Sequence, residues 1–253
     1  MTDILDGEVV DDLQINGLRI IQKASGFKFG IDAVLLSDFA RDTKSKATLD
    51  LCTGCGIVPL LLSAKTRTPY ICGLEIQRDI CDTAKRSVAL NSLEERVHIT
   101  EGDLKNAAEI YGKAVFDKIT CNPPYMKLGA GVRNDTDTKS AARHEILCTL
   151  EDVINAAASL LIPFGHFYMV HRPNRIADIM CCMRKYKIEP KRLRFVCPNA
   201  AKPPNLLLVE GVKGGGSDMK ILPNLYVYNS DGTHTEEINK IYGFPLADAT
   251  TNN

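Results

Sequence analysis

The stretch ATLDLCTGCGIVPLLLSAK, residues 47–65, indicates a β-strand, a glycine-containing turn and an α-helix in immediate succession. Gly54 and Gly56 allow a tight turn in which backbone N–H groups and the start of a helix approach a ligand closely. A nicotinamide-binding turn would place a third glycine where Pro59 stands, and proline suits the first turn of a helix better. A plain strand-to-helix turn is the alternative. The stretch therefore predicts a strand–turn–helix unit and disfavours a dinucleotide site.

Outward from this unit, short β-rich runs alternate with helical stretches, which is typical of a parallel sheet covered on both faces. The predicted strands are ATLDLC, YICGLE, VHIT, FDKITCN, GHFYMVH, RLRFVC and NLLLVEGV. The predicted helices cover residues 32–40, 58–65, 79–91, 150–161 and 174–187. We therefore predict a doubly wound α/β sheet.

The chain has 253 residues, of which 45% are hydrophobic, so it can bury a large core in one domain. We divide this domain, 1–253, into an N-terminal extension with a helix (1–45), a core (46–213) and a C-terminal tail (214–253) that follows the flexible GGGS stretch. Lys plus Arg equals Asp plus Glu at 31 each, so any surface that binds nucleic acid has to be local. We expect a monomer.

The nine cysteines lie scattered in apolar runs, with no secretory leader or long apolar span before them. This favours the reducing cytoplasm and no membrane partner. Cys52 and Cys55 have CxxC spacing, but no second pair of Cys or His follows, so we expect no metal. Cys181 and Cys182 are predicted core residues.

Two further acidic turns follow the second and third core strands. Glu75 ends YICGLE about twenty residues after the glycine turn, where a carboxylate accepts hydrogen bonds from ribose hydroxyls. Asp103, in EGDL, is placed to meet an adenine amino group. Since ligands of such sheets bind outside the carboxyl ends of the strands, these turns predict a nucleoside pocket.

The fourth turn, CNPPYMK at residues 121–127, follows the buried strand FDKITC. Consecutive prolines restrict the backbone, so the Asn122 side-chain oxygen and the Pro123 carbonyl can act together as acceptors for an NH₂ group. Tyr125 offers a flat face for stacking. Two acceptors that hold both hydrogens of an amine on an sp² carbon aim its lone pair, so no strong general base is needed. The turn predicts group transfer to such a nitrogen, with orientation supplying much of the acceleration.

DLCTGCG, Glu75, GDL and NPPY, in this order, resemble the class I S-adenosylmethionine-dependent methyltransferases that modify exocyclic or amide nitrogen. Residues 13–40, ARHE (142–145), KRLRFVCP (191–198) and LLLVEGVKGG (206–215) resemble bacterial tRNA (adenine-37) 6-amino methyltransferases that act on a valine tRNA. The resemblance spans nearly the whole chain. It implies a Rossmann-like, mostly parallel seven-stranded sheet with helices on both faces and one antiparallel strand near the C-terminus.

The resemblance also implies roles for individual residues. The methionine end of S-adenosylmethionine would lie against Asp50, Gly54 and Gly56, its ribose against Glu75 with Ile76, and its adenine against Asp103 and Leu104. Asn122, Pro123 and Tyr125 would hold the target base, and Phe29, Gly30 and Asp32 would close the site. Cys52 stands where the family pattern has glycine, which makes close backbone approach there less secure.

A tRNA substrate needs positive charge, and residues 171–220 contain eleven Lys and Arg against four Asp and Glu. The candidates for phosphate contact are Arg184, Lys185, Lys187, Lys191, Arg192, Arg194 and Lys202. The polar stretch 127–145 predicts a loop that orders over the target nucleotide. Within it, Arg143, His144 and Glu145 are expected to anchor the loop rather than to act in catalysis.

Three alternatives stay open. A carboxamide makes similar demands on Asn122 and Pro123, so glutamine methylation of a release factor competes, although such enzymes usually carry a sizeable helical domain before the first strand. Methylation of a guanine 2-amino group in rRNA is the second alternative. An RNA-binding protein that kept the fold and lost catalysis is the third.

Overall fold

A computed structural model describes residues 2–24, 30–124 and 148–243. The strands are β1 Glu8–Asp12, β2 Arg19–Lys23, β3 Ala47–Leu51, β4 Tyr70–Glu75, β5 Val97–Glu101, β6 Phe116–Cys121, β7 Leu161–His171, β8 Ile188–Cys197, β9 Leu206–Lys213, β10 Lys220–Ile221 and β11 Leu225–Tyr226. The helices are α1 Ile31–Phe39, α2 Ile57–Lys65, α3 Arg78–Leu90, α4 Ala107–Tyr111, α5 Leu150–Leu160, α6 Ile176–Lys185 and α7 Glu236–Tyr242.

Seven of these strands form the central sheet in the order β8-β9-β7-β6-β3-β4-β5. Strands β3 to β8 run parallel to one another, and β9 is antiparallel to both of its neighbours, β7 and β8. This confirms the predicted mostly parallel sheet with one antiparallel strand near the C-terminus. Two short strands, β10 and β11, pair with β8 and extend the sheet beyond the predicted seven.

Apolar side chains alternate between the two faces of the sheet, as buried strands of an α/β protein require. Leu49 and Leu51 of β3 pack in one core with residues of α5 and α6, such as Val153 and Ile179. The opposite core contains residues of α1, α2 and α3, for example Leu60. Helices therefore cover both faces, as predicted.

The N-terminal segment contains a hairpin that the sequence patterns did not predict. Strand β1 pairs antiparallel with β2, and the hairpin lies on α3 rather than on the central sheet. The Arg86 guanidinium donates to both carboxylate oxygens of Glu8, at 2.6 and 2.7 Å, and holds the pKa of Glu8 at about 2. The Ile21 N–H donates to Ser87 Oγ at 3.0 Å. Contacts with α3 therefore stabilise the strand EVVDD, although its three acidic residues are not typical of a β-strand.

The segment after GGGS was expected to be a tail, but its described part, to residue 243, folds onto the core. Leu225 and Val227 are buried in the core that contains α1 and α2, and Ile238 and Ile241 of α7 join them there. Arg194 on β8 holds the segment by an ion pair of 2.8 Å with Glu237. The C-terminal segment is therefore part of the fold.

Lys118, in the first half of β6, is fully buried and joins the sheet to α1. Its Nζ donates to the carbonyl oxygens of Ala40 and Thr43, at 2.7 and 2.6 Å, just beyond the last residue of α1. The bond to Ala40 satisfies a carbonyl that the helix end leaves without a partner, and the bond to Thr43 holds the chain that follows. Burial lowers the pKa of Lys118 to about 8. Because the carboxyl end of α1 is held near the amino end of β6, the first turn of α1 lies toward the carboxyl ends of the parallel strands.

The buried lysine predicts a pH-dependent difference in stability between wild type and Lys118→Met. The folded protein releases this proton near pH 8, whereas the unfolded chain holds it to about pH 10.4. The unfolded state therefore binds more protons in this window, and stability contributed at this position rises with pH. Between about pH 8 and 10.4, the free energy of unfolding of wild type should therefore rise by about 1–3 kcal/mol relative to that of Lys118→Met.

Urea unfolding at pH 7.5, 9 and 10.5 measures this difference. Lys113→Met makes the same chemical change at an exposed position, so its difference from wild type should stay constant. A constant difference for Lys118→Met as well would show that the lysine remains charged in the folded protein.

Candidate functional site

The four turns singled out in the sequence lie at one edge of the sheet. Strands β5, β4, β3 and β6 are successive neighbours and run parallel, so their carboxyl ends meet there. With neighbouring strands about 4.8 Å apart, the four ends span roughly 15 Å, the length of a nucleoside with a short side chain. The topology therefore brings Asp103, Glu75, the glycine turn and Asn122 together.

The two glycines of the first turn are needed for different reasons. Both have positive φ, +57° at Gly54 and +85° at Gly56. A Cβ on Gly56 would lie 3.3 Å from Ala84 Cβ, so this glycine lets α2 begin close against α3. A Cβ on Gly54 would meet no atom within 4 Å. Gly54 thus presents bare backbone to open space, as a cradle for a ligand requires.

Glu75, at the carboxyl end of β4, is only 5% exposed and joins two turns. One carboxylate oxygen accepts the N–H of Gly54 at 2.9 Å, and the other accepts the N–H of Gln77 at 2.9 Å. An ionised carboxylate has about four acceptor sites, so these backbone bonds leave capacity for hydroxyl donors. The contact holds the acid in place beside the glycine turn.

The third turn lies next to it at the end of β5. Asp103 is half-buried and caps a short 3₁₀ helix, Leu104–Asn106, by accepting the N–H of Lys105 at 2.9 Å. Leu104 is buried, and Ile76, beyond the end of β4, is half-buried. This part of the edge combines a fixed carboxylate with apolar side chains, the combination that suits a purine ring with an amino group.

Asp50 lies beneath the glycine turn rather than on its surface. Its side chain is 1% exposed, and Oδ1 accepts the hydroxyl of Thr120 on the neighbouring strand at 2.6 Å. Burial raises the pKa of Asp50 to about 7, although the Thr120 hydrogen bond acts against this. Asp50 therefore forms the floor under the turn.

The proline turn directly follows β6, between the ends of β3 and β7, since Cys121 is in register with Leu51 and Met169. Asn122 is half-buried and Pro123 buried. The backbone thus carries these two residues to the edge beside the glycine turn. Tyr125, the loop 127–145 with Arg143, His144 and Glu145, and Phe29 lie outside the described residues.

Gly30 and Asp32 stand at the start of α1, the end of the helix that faces this edge. A Cβ on Gly30 would lie 2.5 Å from Asp32 Oδ1, so the Asp32 carboxylate folds over the glycine backbone. Both residues are half-buried. That Gly30 and Asp32 close the site stays a prediction.

Some of the predicted basic residues lie at the amino ends of the parallel strands, and others lie on β8 or at the carboxyl ends, where the four turns are. Arg184, Lys185, Lys187 and Lys191 lie at the end of α6 and the start of β8, at the edge opposite the four turns. Lys202, in the loop between β8 and β9, is exposed at the edge that carries the turns.

The two arginines on β8 itself are engaged with acidic partners. Arg192 binds the buried Glu210, and Arg194 pairs with Glu237. Both hold parts of the fold together. Of the seven predicted phosphate contacts, Lys202 thus has the position nearest to the turns.

Arg172 and Arg175 are not among the predicted phosphate contacts, although both follow the carboxyl end of β7. Arg172 is exposed, and its Nη1 donates to the carbonyl of Asn205, 3.1 Å away, in the loop that carries Lys202. Arg175 pairs with Asp178. The signal that identifies Arg172 is its position directly after the predicted strand GHFYMVH, where ligand-facing residues of a parallel sheet occur.

All nine cysteines lie in the described ranges, and none forms a disulfide. Cys181 is exposed, so its predicted place in the core is wrong, whereas Cys182 is half-buried against the core. Within those ranges, no group of three or more His, Cys, Asp or Glu side chains is arranged to hold a metal ion. None of the helices described combines the length and apolar character needed to cross a bilayer.

The chain matches the model of the methyltransferase small domain family over residues 30–180. It is 28% identical over 197 residues to the tRNA1(Val) (adenine(37)-N6)-methyltransferase of Porphyromonas gingivalis, an alignment that covers 76% of each chain. It is 27% identical over 211 residues to the protein of the same name from Aeromonas salmonicida, which covers 83% of this chain and 86% of the other.

Solved structures show the same fold. A structure from Agrobacterium tumefaciens described as a "predicted O-methyltransferase" superposes with a TM-score of 0.68 at 18% identity, over 84% of this chain and 95% of the other. TrmN from Thermus thermophilus superposes with a TM-score of 0.51 at 16% identity, over 72% of this chain and 48% of the other. At these identities the likeness concerns architecture alone.

The glycine turn yields a prediction about Cys52, which has φ of +58° although it carries a side chain. This left-handed conformation costs an L-residue about 1–2 kcal/mol. Cys52→Gly and Cys52→Ala both remove the thiol, and only glycine adopts the conformation without strain. Cys52→Gly should therefore be the more stable variant by about 1 kcal/mol in urea unfolding.

Cys55 provides the control, because it lies in the same turn and does not have positive φ. There the alanine variant should be at least as stable as the glycine variant. If the glycine variant were the more stable one at both positions, backbone strain at Cys52 would not explain its stability.

Proposed function

The chain belongs to the methyltransferase small domain family, and we propose that it transfers a methyl group from S-adenosylmethionine to the 6-amino group of an adenine in tRNA. The observation that carries this proposal is the agreement between two findings. Relatives at 27–28% identity over at least three-quarters of the chain bear the name tRNA1(Val) (adenine(37)-N6)-methyltransferase. The edge where the four turns meet has the polar groups that such a reaction needs.

The residues on the β3–β5 half of the edge fit the cofactor. S-adenosylmethionine supplies, when bound, a methyl group activated by its attachment to a sulfonium sulfur. The open backbone at Gly54 suits its amino-acid end, with Asp50 beneath. The carboxylate of Glu75, already oriented by two backbone N–H groups, suits the ribose hydroxyls. Asp103, Leu104 and Ile76 suit the adenine.

Asn122 and Pro123 act on the target base in this proposal. The Asn122 side-chain oxygen and the Pro123 carbonyl accept the two hydrogens of the 6-amino group, which turns the nitrogen lone pair out of conjugation with the ring. Pro124 restricts the backbone of the turn, so the acceptors are held in place before the base arrives. The proton that the amino group gives up passes to solvent. Asp50, buried and bonded to Thr120, is not placed to receive it.

The substrate is proposed to be adenine 37 of a valine tRNA, on the names of the relatives. A base in an anticodon loop is single-stranded, so it turns out of its stack at lower cost than a duplex base. Tyr125, Phe29 and the loop 127–145 remain proposals as contacts of the base and its lid. A monomeric protein acting in the cytoplasm is proposed with them. The names of the relatives favour adenine over the glutamine and guanine alternatives.

The decisive experiment incubates the protein and labelled S-adenosylmethionine with unmodified total tRNA, with rRNA and with release factor, followed by nucleoside and amino-acid analysis. We expect N6-methyladenosine from tRNA alone. In Asn122→Ala, kcat should fall about 100- to 1000-fold, as when one preorganised polar group is removed, while cofactor affinity stays near that of wild type. Label in N2-methylguanosine or methylglutamine would select an alternative, and wild-type turnover by the variant would refute the role of Asn122.

Glu75→Gln tests the cofactor half of the site. One backbone N–H at residue 54 or 77 would then face an amide NH₂ instead of an oxygen, and hydroxyl donors would lose a charged acceptor. Such bonds are worth about 1.5–3 kcal/mol each, so the affinity for S-adenosylmethionine in calorimetry should fall about 10- to 100-fold. Glu101→Gln is the matched control, because Glu101 holds the same register position on β5 and is exposed. Equal losses in both variants would point to a general charge effect.

A further inference from the structure

Three aromatic rings of the C-terminal segment form a stack, which we call the aromatic ladder: Tyr228, His234 and Tyr242. The ring centroids of Tyr228 and His234 are 5.2 Å apart with planes 29° from parallel. Those of His234 and Tyr242 are 5.9 Å apart with planes 12° from parallel. Stacks of this spacing are favourable contacts beyond the area that they bury.

The backbone fixes the ladder in place. The N–H of Tyr228 donates to the carbonyl of Pro198 at 2.8 Å, and Tyr228 and His234 form an antiparallel bridge. Between them the chain turns through hydrogen bonds of 2.8 and 3.1 Å that link Asn229 with Thr233 and Gly232. Since α7 is anchored in the core by Ile238 and Ile241, the rings do not have to be ordered by a ligand.

The ladder runs from the core to the surface. Pro198 follows the carboxyl end of β8, so Tyr228 stands at the edge that carries the four turns. At the inner end, burial, the neighbouring Tyr228 and the charge of Asp32 raise the pKa of the Tyr242 phenol. The helix that ends at Tyr242, α7, packs against α1. At the outer end, Tyr228 is 42% exposed.

The charges around the outer ring favour an anionic partner. Exposed Lys202 lies in the loop that begins at Pro198, and Arg172 donates to the carbonyl of Asn205 in that loop. Of the acidic groups near the ladder, Glu237 pairs with Arg194 and Glu236 with Lys240, whereas Asp231 keeps its charge and accepts the hydroxyl of Thr233. An exposed ring held against a loop that carries one cation and contacts another matches an unpaired nucleobase and its phosphates.

We propose that Tyr228 is a stacking platform for an unpaired nucleobase of the RNA substrate other than the base that enters the site. The proposal rests on the proposed function for the identity of the RNA. The preformed stack of His234 on Tyr242 supports Tyr228 from within, so a base that stacks on the ring extends an existing ladder. Substrate affinity then depends on a planar side chain at residue 228, outside the machinery that binds the cofactor.

The test compares the affinity of Tyr228→Phe, Tyr228→Leu and wild type for a fluorescent unmodified valine tRNA transcript, measured by anisotropy. Phenylalanine keeps the flat face and should bind like wild type. Leucine keeps the apolar character without the plane, and its binding should weaken roughly 5- to 100-fold, the range for loss of one stacked base. Tyr226→Leu is the matched control, because Tyr226 lies two residues away with 39% exposure and should leave affinity unchanged.

Calorimetry with S-adenosylmethionine shows whether each variant is folded, because cofactor affinity should not change. Equal tRNA affinity of Tyr228→Leu and wild type, or an equal loss in Tyr226→Leu, overturns the platform. Tight binding of the transcript without any methyl transfer would instead refute the proposed function. The affinities of the Tyr228 variants would then still decide whether Tyr228 is a stacking platform. If the wild-type protein does not bind the transcript, both proposals fail.

Discussion

The turn at residues 52–56 has to reverse the chain between β3 and α2 within five residues, and the rest of the site depends on how it does so. Three of these residues, Cys52, Gly54 and Gly56, have positive φ. The reversal points backbone N–H groups at the end of the neighbouring strand, where Thr53 N–H donates to the carbonyl of Leu74 at 3.0 Å and Gly54 N–H to the Glu75 carboxylate. The glycine turn and Glu75, at the end of β4, are therefore one unit, joined by hydrogen bonds between the ends of β3 and β4.

A buried polar layer places the other wall of the site. On the sheet face that carries α1, Glu210 accepts hydrogen bonds from His166, Tyr168 and Arg192. Burial raises the pKa of the Glu210 carboxyl, but these hydrogen bonds outweigh burial and the pKa lies below its usual value. Arg192 also lies over the ring of Phe39, the last residue of α1, at 4.8 Å from its centroid. Together with Lys118, this layer fixes the carboxyl end of the helix whose first turn carries Asp32.

Much of the fold was predictable because its signals are local. The strand YICGLE was predicted at its observed bounds, and α2 and α3 within one residue, since turn residues bracket each apolar run. The hairpin β1–β2 was missed because its stability lies in contacts of Glu8 and Ile21 with α3, about 65–78 positions along the chain. The position of the glycine turn, Glu75 and Asp103 at one edge was predictable because each lies at the end of a recognisable strand. Which edge a lysine of α6 or β8 reaches depends on the direction of the element, and a charge count contains no such information.

The division of labour along the edge follows from the order of the strands. The residues proposed to bind the cofactor lie at the ends of β3, β4 and β5, on one side of the proline turn. Arg172, Lys202 and Tyr228 follow β7, β8 and β11, on the other side. The proline turn, after β6, lies between them, so a group held there faces ligands from both directions. The order reverses at β3, because the chain first moves outward to β4 and β5 and then returns to β6. Ligands of open α/β sheets bind at such a reversal because the loops on either side diverge and leave a crevice. Two different molecules can therefore meet at Asn122 without sharing a binding surface, which a methyl transfer between a small cofactor and a large RNA requires.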